Sequence, residues 1–130
     1  MDERELLKNP IFVALDVDDV DKAYALAEKL AGKVGGFKVG PRLLIRFGPQ
    51  VIEKLTKFGP VFVDNKYYDI PSTMVSAVRA TFETGATFAT IHAQCGSEAL
   101  KALAELEKEL NQQRPFRILA VTVLTSYSTQ

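Results

Sequence analysis

A single cysteine, Cys95, rules out an internal disulfide. Thiol scarcity of this kind suits a reducing cytoplasm. Charge of one sign is not in excess either: sixteen Lys and Arg balance sixteen Asp and Glu. The electrostatic footprint expected of a nucleic-acid or anionic-membrane partner is therefore missing. No apolar run approaches the ~18 residues of a membrane-spanning helix. The opening MDERELLKNP is charged and lacks the apolar core of a secretory signal. No His/Cys/carboxylate group has metal-ligand spacing, because the carboxylates alternate with lysines. These absences point to a soluble, cytoplasmic protein with no metal, nucleic-acid or membrane partner.

What is present is a regular alternation. At 130 residues and 47% hydrophobic content, the chain can bury a real core in one domain. Ile11 to Val17, Phe37 to Gly40, Val61 onward, Phe88 to His92 and Ile118 to Leu124 are short apolar runs, as in strands covered on both faces. A polar lead-in, residues 1–10, precedes the first. Between the runs lie helical patterns: Val20, Ala23, Ala27 and Leu30 after a capping Asp18 or Asp19; Leu43, Leu44 and Phe47, broken at Gly48-Pro49 and resumed over 51–58; Met74, Ala77, Val78 and Phe82 after Pro71; and Leu100, Leu103, Leu106 and Leu110 after a capping Ser97. Strand starts near 11, 36, 61, 88 and 117 recur every roughly 25–29 residues, the length of a strand-plus-helix unit. Five parallel strands with four helices follow. On length alone an open doubly wound sheet is favoured, since a closed α/β barrel usually needs ~200 residues. Against it, DDVDKA follows the first strand where a dinucleotide-binding sheet would carry G-x-G-x-x-G.

Each strand delivers a polar group at or near its C-terminal end: Asp16, Lys38, Asp64 with Lys66, His92, then Thr125 and Ser126. In both architectures that edge is where ligands bind. An isolated Asp64–Lys66 pair has a bland reading as a structural ion pair. Five consecutive strands ending this way do not. Asp64 and Lys66, two apart, share one strand face, and Asp69 lies in the loop beyond. His92 reads as a hydrogen-bonded core residue, Tyr67 and Tyr68 as packing or loop residues, and Cys95 has no evident activator.

DNKYYDIP resembles the D-x-K-x-x-D-I-P pattern of the orotidine 5′-phosphate decarboxylase family. ALDVDD, FKVG, DIPST and AVTVLTS fall in the family's order, so the resemblance runs from Pro10 to Ser126. It implies a (β/α)8 TIM barrel of which residues 1–130 form a single partial-barrel domain, the N-terminal five of eight strands. It also implies homodimers that decarboxylate orotidine 5′-monophosphate to UMP in pyrimidine biosynthesis, without metal or organic cofactor. Carried over residue by residue, Asp16 contacts the ribose, and Lys38 joins the ribose contact and the charged network. Asp64 sits against the substrate carboxylate and Lys66 protonates C6. Asp69 and Thr73 reach the neighbouring subunit's site, and Ser126 contacts the pyrimidine. The departure is length: the last three strands and the phosphate grip are expected on a remainder or on a separate C-terminal segment. Two other readings stand beside this one. In one the chain is a non-catalytic, self-assembling partial barrel; in the other it is a magnesium-dependent sugar-phosphate decarboxylase or aldolase of the same superfamily.

Overall fold

The computed structural model describes residues 8–129; the lead-in over 1–7 lies outside the described residues. Element order is β1 (Phe12–Ala14), α1 (Val20–Leu30), β2 (Gly36–Val39), α2 (Pro41–Phe47), α3 (Gln50–Leu55), β3 (Val61–Tyr67), α4 (Pro71–Glu83), β4 (Phe88–His92), a 3-10 turn (Ala93–Cys95), α5 (Ser97–Asn111) and β5 (Arg117–Val121). All strands pair in parallel in one sheet of order β1-β2-β3-β4-β5.

That order settles the architecture. A doubly wound sheet reverses direction and places its first strand inside the sheet. Here each strand pairs only with its neighbours in sequence, as in the wall of a β/α barrel.

Local chemistry explains the elements. Asp19 caps α1 by accepting from the backbone N–H groups of Asp21 and Lys22. Pro71 opens α4 at a position whose N–H would be unpaired in any case. Three expectations need correction. The second crossover is two helices, so five rather than four accompany the strands. Gly48 takes φ 81 after its N–H closes α2 on Leu44, and Pro49 starts α3. The first strand spans only three residues, because its ladder with β2 covers only Phe12, Val13 and Ala14. Gly96, at φ 96, caps α5 in place of Ser97, because the 3-10 turn brings the chain into the helix from that residue.

Alternation along β3 divides the molecule. Val61 and Val63 are buried against α1, α2 and α3, in a cluster with Phe37, Val39, Leu43, Ile52 and Leu55. Tyr67 packs instead toward Met74, Val78, Leu103 and Leu110 of α4 and α5. Each such buried side chain contributes roughly 1.5–3 kcal/mol. The opposite face carries Phe62, Asp64 and Lys66. There the rings of Phe12, Phe62 and Phe88 meet with centroids 5.6–6.2 Å apart, although β2 lies between the first two. Gly36 makes this possible: a Cβ there would stand 2.4 Å from the Phe12 ring. An aromatic floor thus underlies the polar groups nearer the strand ends.

Candidate active site

Asp64 is the hub. One of its oxygens, Oδ2, accepts from Lys66 Nζ at 3.0 Å and Lys38 Nζ at 3.3 Å, and Oδ1 accepts from Thr90 Oγ1 at 2.8 Å. The carboxylate side chain is 13% exposed, against 31% for Lys38 and 38% for Lys66. Burial alone pushes the Asp64 carboxyl up. The hydrogen bonds from Lys66, Thr90 and Lys38, with the Lys66 charge, outweigh that and hold it below its ordinary value.

Strand alternation puts Lys38, Asp64 and Thr90 together from three adjacent strands, but Lys66 needs more. β3 and β4 pair at Val63 with Ala89 and again at Tyr67 with Ile91, so β3 spends four residues against two. Lys66 lies in that irregularity at φ 49, the only described non-glycine residue with positive φ. Such a backbone costs of order 1–3 kcal/mol unless its surroundings hold it. Its freed N–H donates to Thr90 Oγ1 at 2.9 Å.

Lys38, Asp64 and Lys66 open into a hollow of about 240 Å³ that Asp16, Gly40, Pro41 and Arg42 complete. Arg42 Nη1 donates to the Asp16 carbonyl at 3.1 Å, and its Nε stands 3.9 Å from Asp18 Oδ1. Gly40 leaves the Asp64 backbone accessible from β2, since a Cβ would meet the Asp64 carbonyl oxygen at 3.1 Å. Four expected residues, Asp16, Lys38, Asp64 and Lys66, therefore line one space. The other three do not. Asp69 is exposed, accepts from the Ile70 N–H at 2.7 Å, and borders a separate hollow with Tyr68, Pro71 and Cys95. Thr73 in the first turn of α4 and Ser126 beyond β5 are exposed and stand outside the Asp64 hollow.

His92 caps the 3-10 turn through Nδ1, which accepts from the Gln94 N–H, and its ring meets that of Tyr68 at a tilt, centroids 5.3 Å apart. Tyr67 packs, as expected, with its hydroxyl on Thr81. Among the described residues no group of three or more His, Cys, Asp or Glu is placed to hold a metal ion. Two polar groups were missed by sequence reasoning. Thr90 is one threonine in an apolar strand, and Arg42 sits behind a Pro on a helix; neither pattern signals a site. A further hollow of about 230 Å³ between α5 and β5 is apolar apart from Glu107, whose carboxylate accepts from the Ile118 N–H.

Ammonium groups held by a carboxylate between them can stabilise negative charge developing beside them, and either can supply a proton. Parallel β/α units in sequential order, with such a charge cluster toward the C-terminal ends of the strands, define a β/α-barrel protein of the class that carries its site at that edge. The model of the orotidine 5′-phosphate decarboxylase / HUMPS family matches residues 9–130, and the chain belongs to that family. Orotidine 5′-phosphate decarboxylase of Trichlorobacter lovleyi is 45% identical over 129 residues, 98% of this chain and 53% of that protein. The Nostoc protein of the same name is 43% identical over 124 residues, 92% of this chain and 52% of its own. The crystal structure of orotidine 5′-monophosphate decarboxylase from Methanocaldococcus jannaschii with inhibitor BMP matches with TM-score 0.76 and 30% identity, covering 86% of this chain and 51% of that one. An uncharacterized conserved protein from Geobacillus kaustophilus matches at TM-score 0.80 and 30% identity, over 90% and 56%. The chain spans about half the length of the relatives it matches. No described helix is long and apolar enough to cross a membrane.

Proposed function

We propose that this chain supplies the decarboxylation centre for converting orotidine 5′-monophosphate to UMP, a step of pyrimidine biosynthesis, without metal or organic cofactor. The observation that carries the reading is Asp64 held between the ammonium groups of Lys38 and Lys66, in the D-x-K-x-x-D-I-P order. The bond from C6 to the carboxylate breaks and carbon dioxide leaves. The electron pair stays on C6, and Lys66 delivers the proton that forms the C6–H bond. A fixed ammonium stabilises that carbanion more than it stabilises the substrate, which is the condition for lowering the barrier. Asp64 faces the substrate carboxylate. Lys38 and Asp16 take the ribose, and Ser126 takes the pyrimidine. Asp69 and Thr73 serve a neighbouring subunit, a role in keeping with their exposure away from the Asp64 hollow. One partial-barrel domain, a homodimer and a cytoplasmic location belong to the same reading. Phosphate binding and full activity then require the second half of the barrel.

The test is carbon dioxide release from orotidine 5′-monophosphate by this chain, alone and mixed with the C-terminal half of the Trichlorobacter lovleyi relative. Turnover that survives chelation is the expected result. Magnesium-dependent turnover of a sugar phosphate, with none of orotidine 5′-monophosphate, would favour the sugar-phosphate branch. A folded mixture without turnover would favour the non-catalytic, self-assembling reading.

A further inference from the structure

We infer that Thr90 is the positioning residue of the charge cluster: its one hydroxyl fixes both the Lys66 backbone and the Asp64 carboxylate. Three observations meet on this atom. It accepts from the Lys66 N–H at 2.9 Å, at the residue whose φ is 49. It donates to Asp64 Oδ1 at 2.8 Å, leaving Oδ2 for the two ammonium groups. Thr90 itself is also 2% exposed, so its hydroxyl is shielded from bulk water.

A hydroxyl has one proton to give and lone pairs to receive, and both capacities are used here. The polarity is fixed by the partners. The amide of Lys66 can only donate and an ionised Asp64 can only accept, so the Thr90 proton points to Asp64. The parallel ladder between β3 and β4 lapses between Val63 and Tyr67, and the side chain of β4 supplies the acceptor that its backbone does not. Removing the hydroxyl therefore costs two bonds at once. It leaves a part-buried N–H without its partner and takes from Asp64 the one donor that is neither Lys38 nor Lys66. The groups that bear on Asp64 are Lys38 from β2, Lys66 from its own strand and Thr90 from β4; Asp16 and Arg42 border the same hollow.

The experiment compares Thr90→Val, which keeps the shape and deletes the hydroxyl, with Thr90→Ser, which keeps the hydroxyl. The readouts are the carboxyl titration of Asp64 by carbon NMR and the exchange protection of the Lys66 amide, both on this chain without substrate. Thr90→Val is expected to move the Asp64 midpoint up toward the ordinary carboxylate value and to expose the Lys66 amide to exchange. Thr90→Ser is expected to retain both. Unchanged titration and protection in Thr90→Val overturn the inference, as does a Thr90→Ser variant altered as much as the valine one. Should Thr90→Val not fold, Thr90→Ser still decides, by keeping or losing the native midpoint and protection. The catalytic consequence rests on the decarboxylation reading. With orotidine 5′-monophosphate, Thr90→Val is expected to lower kcat by about tenfold to a hundredfold with little change in KM, the size of a lost bond to a charged group, and Thr90→Ser to recover it. Because the NMR readouts involve no substrate, failure of the decarboxylation reading leaves them interpretable.

Discussion

At the residue scale, two groups can be separated by what their loss does. Lys66 is the proton donor of the proposed reaction and contributes little to packing, its side chain being more than a third exposed. Lys66→Ala should leave the circular dichroism spectrum intact and lower turnover by orders of magnitude. Near-normal turnover would refute its assignment. Asp64 behaves differently because it compensates two cations. Its carboxyl titrates below the ordinary value in the folded chain. It therefore contributes stability that is present above the unfolded value of about 3.9 and is lost as pH falls through the folded value. Asp64→Asn should destabilise the chain by about 1–3 kcal/mol near neutrality, by leaving Lys38 and Lys66 facing each other uncompensated. It should also flatten the acid limb of the stability curve. Urea titrations at several pH values check both. Asp64 and Lys66 were legible in the sequence because strand alternation and the DNKYYDIP order both mark them. Thr90 was not, since its role depends on a lapse in pairing between two strands, with Thr90 24 residues from Lys66 in sequence.

At the element scale, the sheet depends on one missing side chain. Gly36 lets the Phe12 ring cross β2 to Phe62 and Phe88, and a Cβ there would also approach the Pro60 carbonyl oxygen at 2.3 Å. Gly36→Val should collapse that contact and leave the protein largely insoluble or molten, as near-ultraviolet circular dichroism would report. By contrast Leu103→Ala, at a side chain 2% exposed among α4 and α5 residues, should cost about 2–5 kcal/mol in chemical denaturation. Strand and helix positions were readable because apolar runs and 3.6-residue stripes follow directly from burial. Cap details were less so. Ser97 is a good N-cap by type, yet the turn at Ala93–Cys95 brings the chain into α5 through Gly96.

For the whole molecule, the decisive property is strand order. Five β/α repeats and a length of 130 residues fit an open sheet as well as a barrel wall. Only pairing of each strand with its sequence neighbours separates them, and pairing is a long-range outcome that local patterns do not encode. The motif order was what pointed to the barrel in advance. Among the described residues, β1 and β5 each have one strand neighbour. Ile11 beside β1 is 60% exposed, and Leu119 within β5 is 42% exposed. Unpaired apolar edges invite association. Ile11→Lys should therefore reduce self-association in sedimentation velocity, and Ile11 lies outside the hollow that Asp64 lines. The same geometry leaves Asp69 and Thr73 on the surface, apart from the hollow that Asp64 and Lys66 share.

The proposed reaction breaks a carbon–carbon bond at this cluster and protonates the carbon left behind. It is tested most directly by carbon dioxide release from orotidine 5′-monophosphate, with the chain mixed with a C-terminal half-barrel, in parallel for the native chain and Lys66→Ala. Release by the native mixture, resistant to chelation and lost by orders of magnitude in Lys66→Ala, is the predicted result. Equal release by the two chains, or none from a folded native mixture, would contradict it.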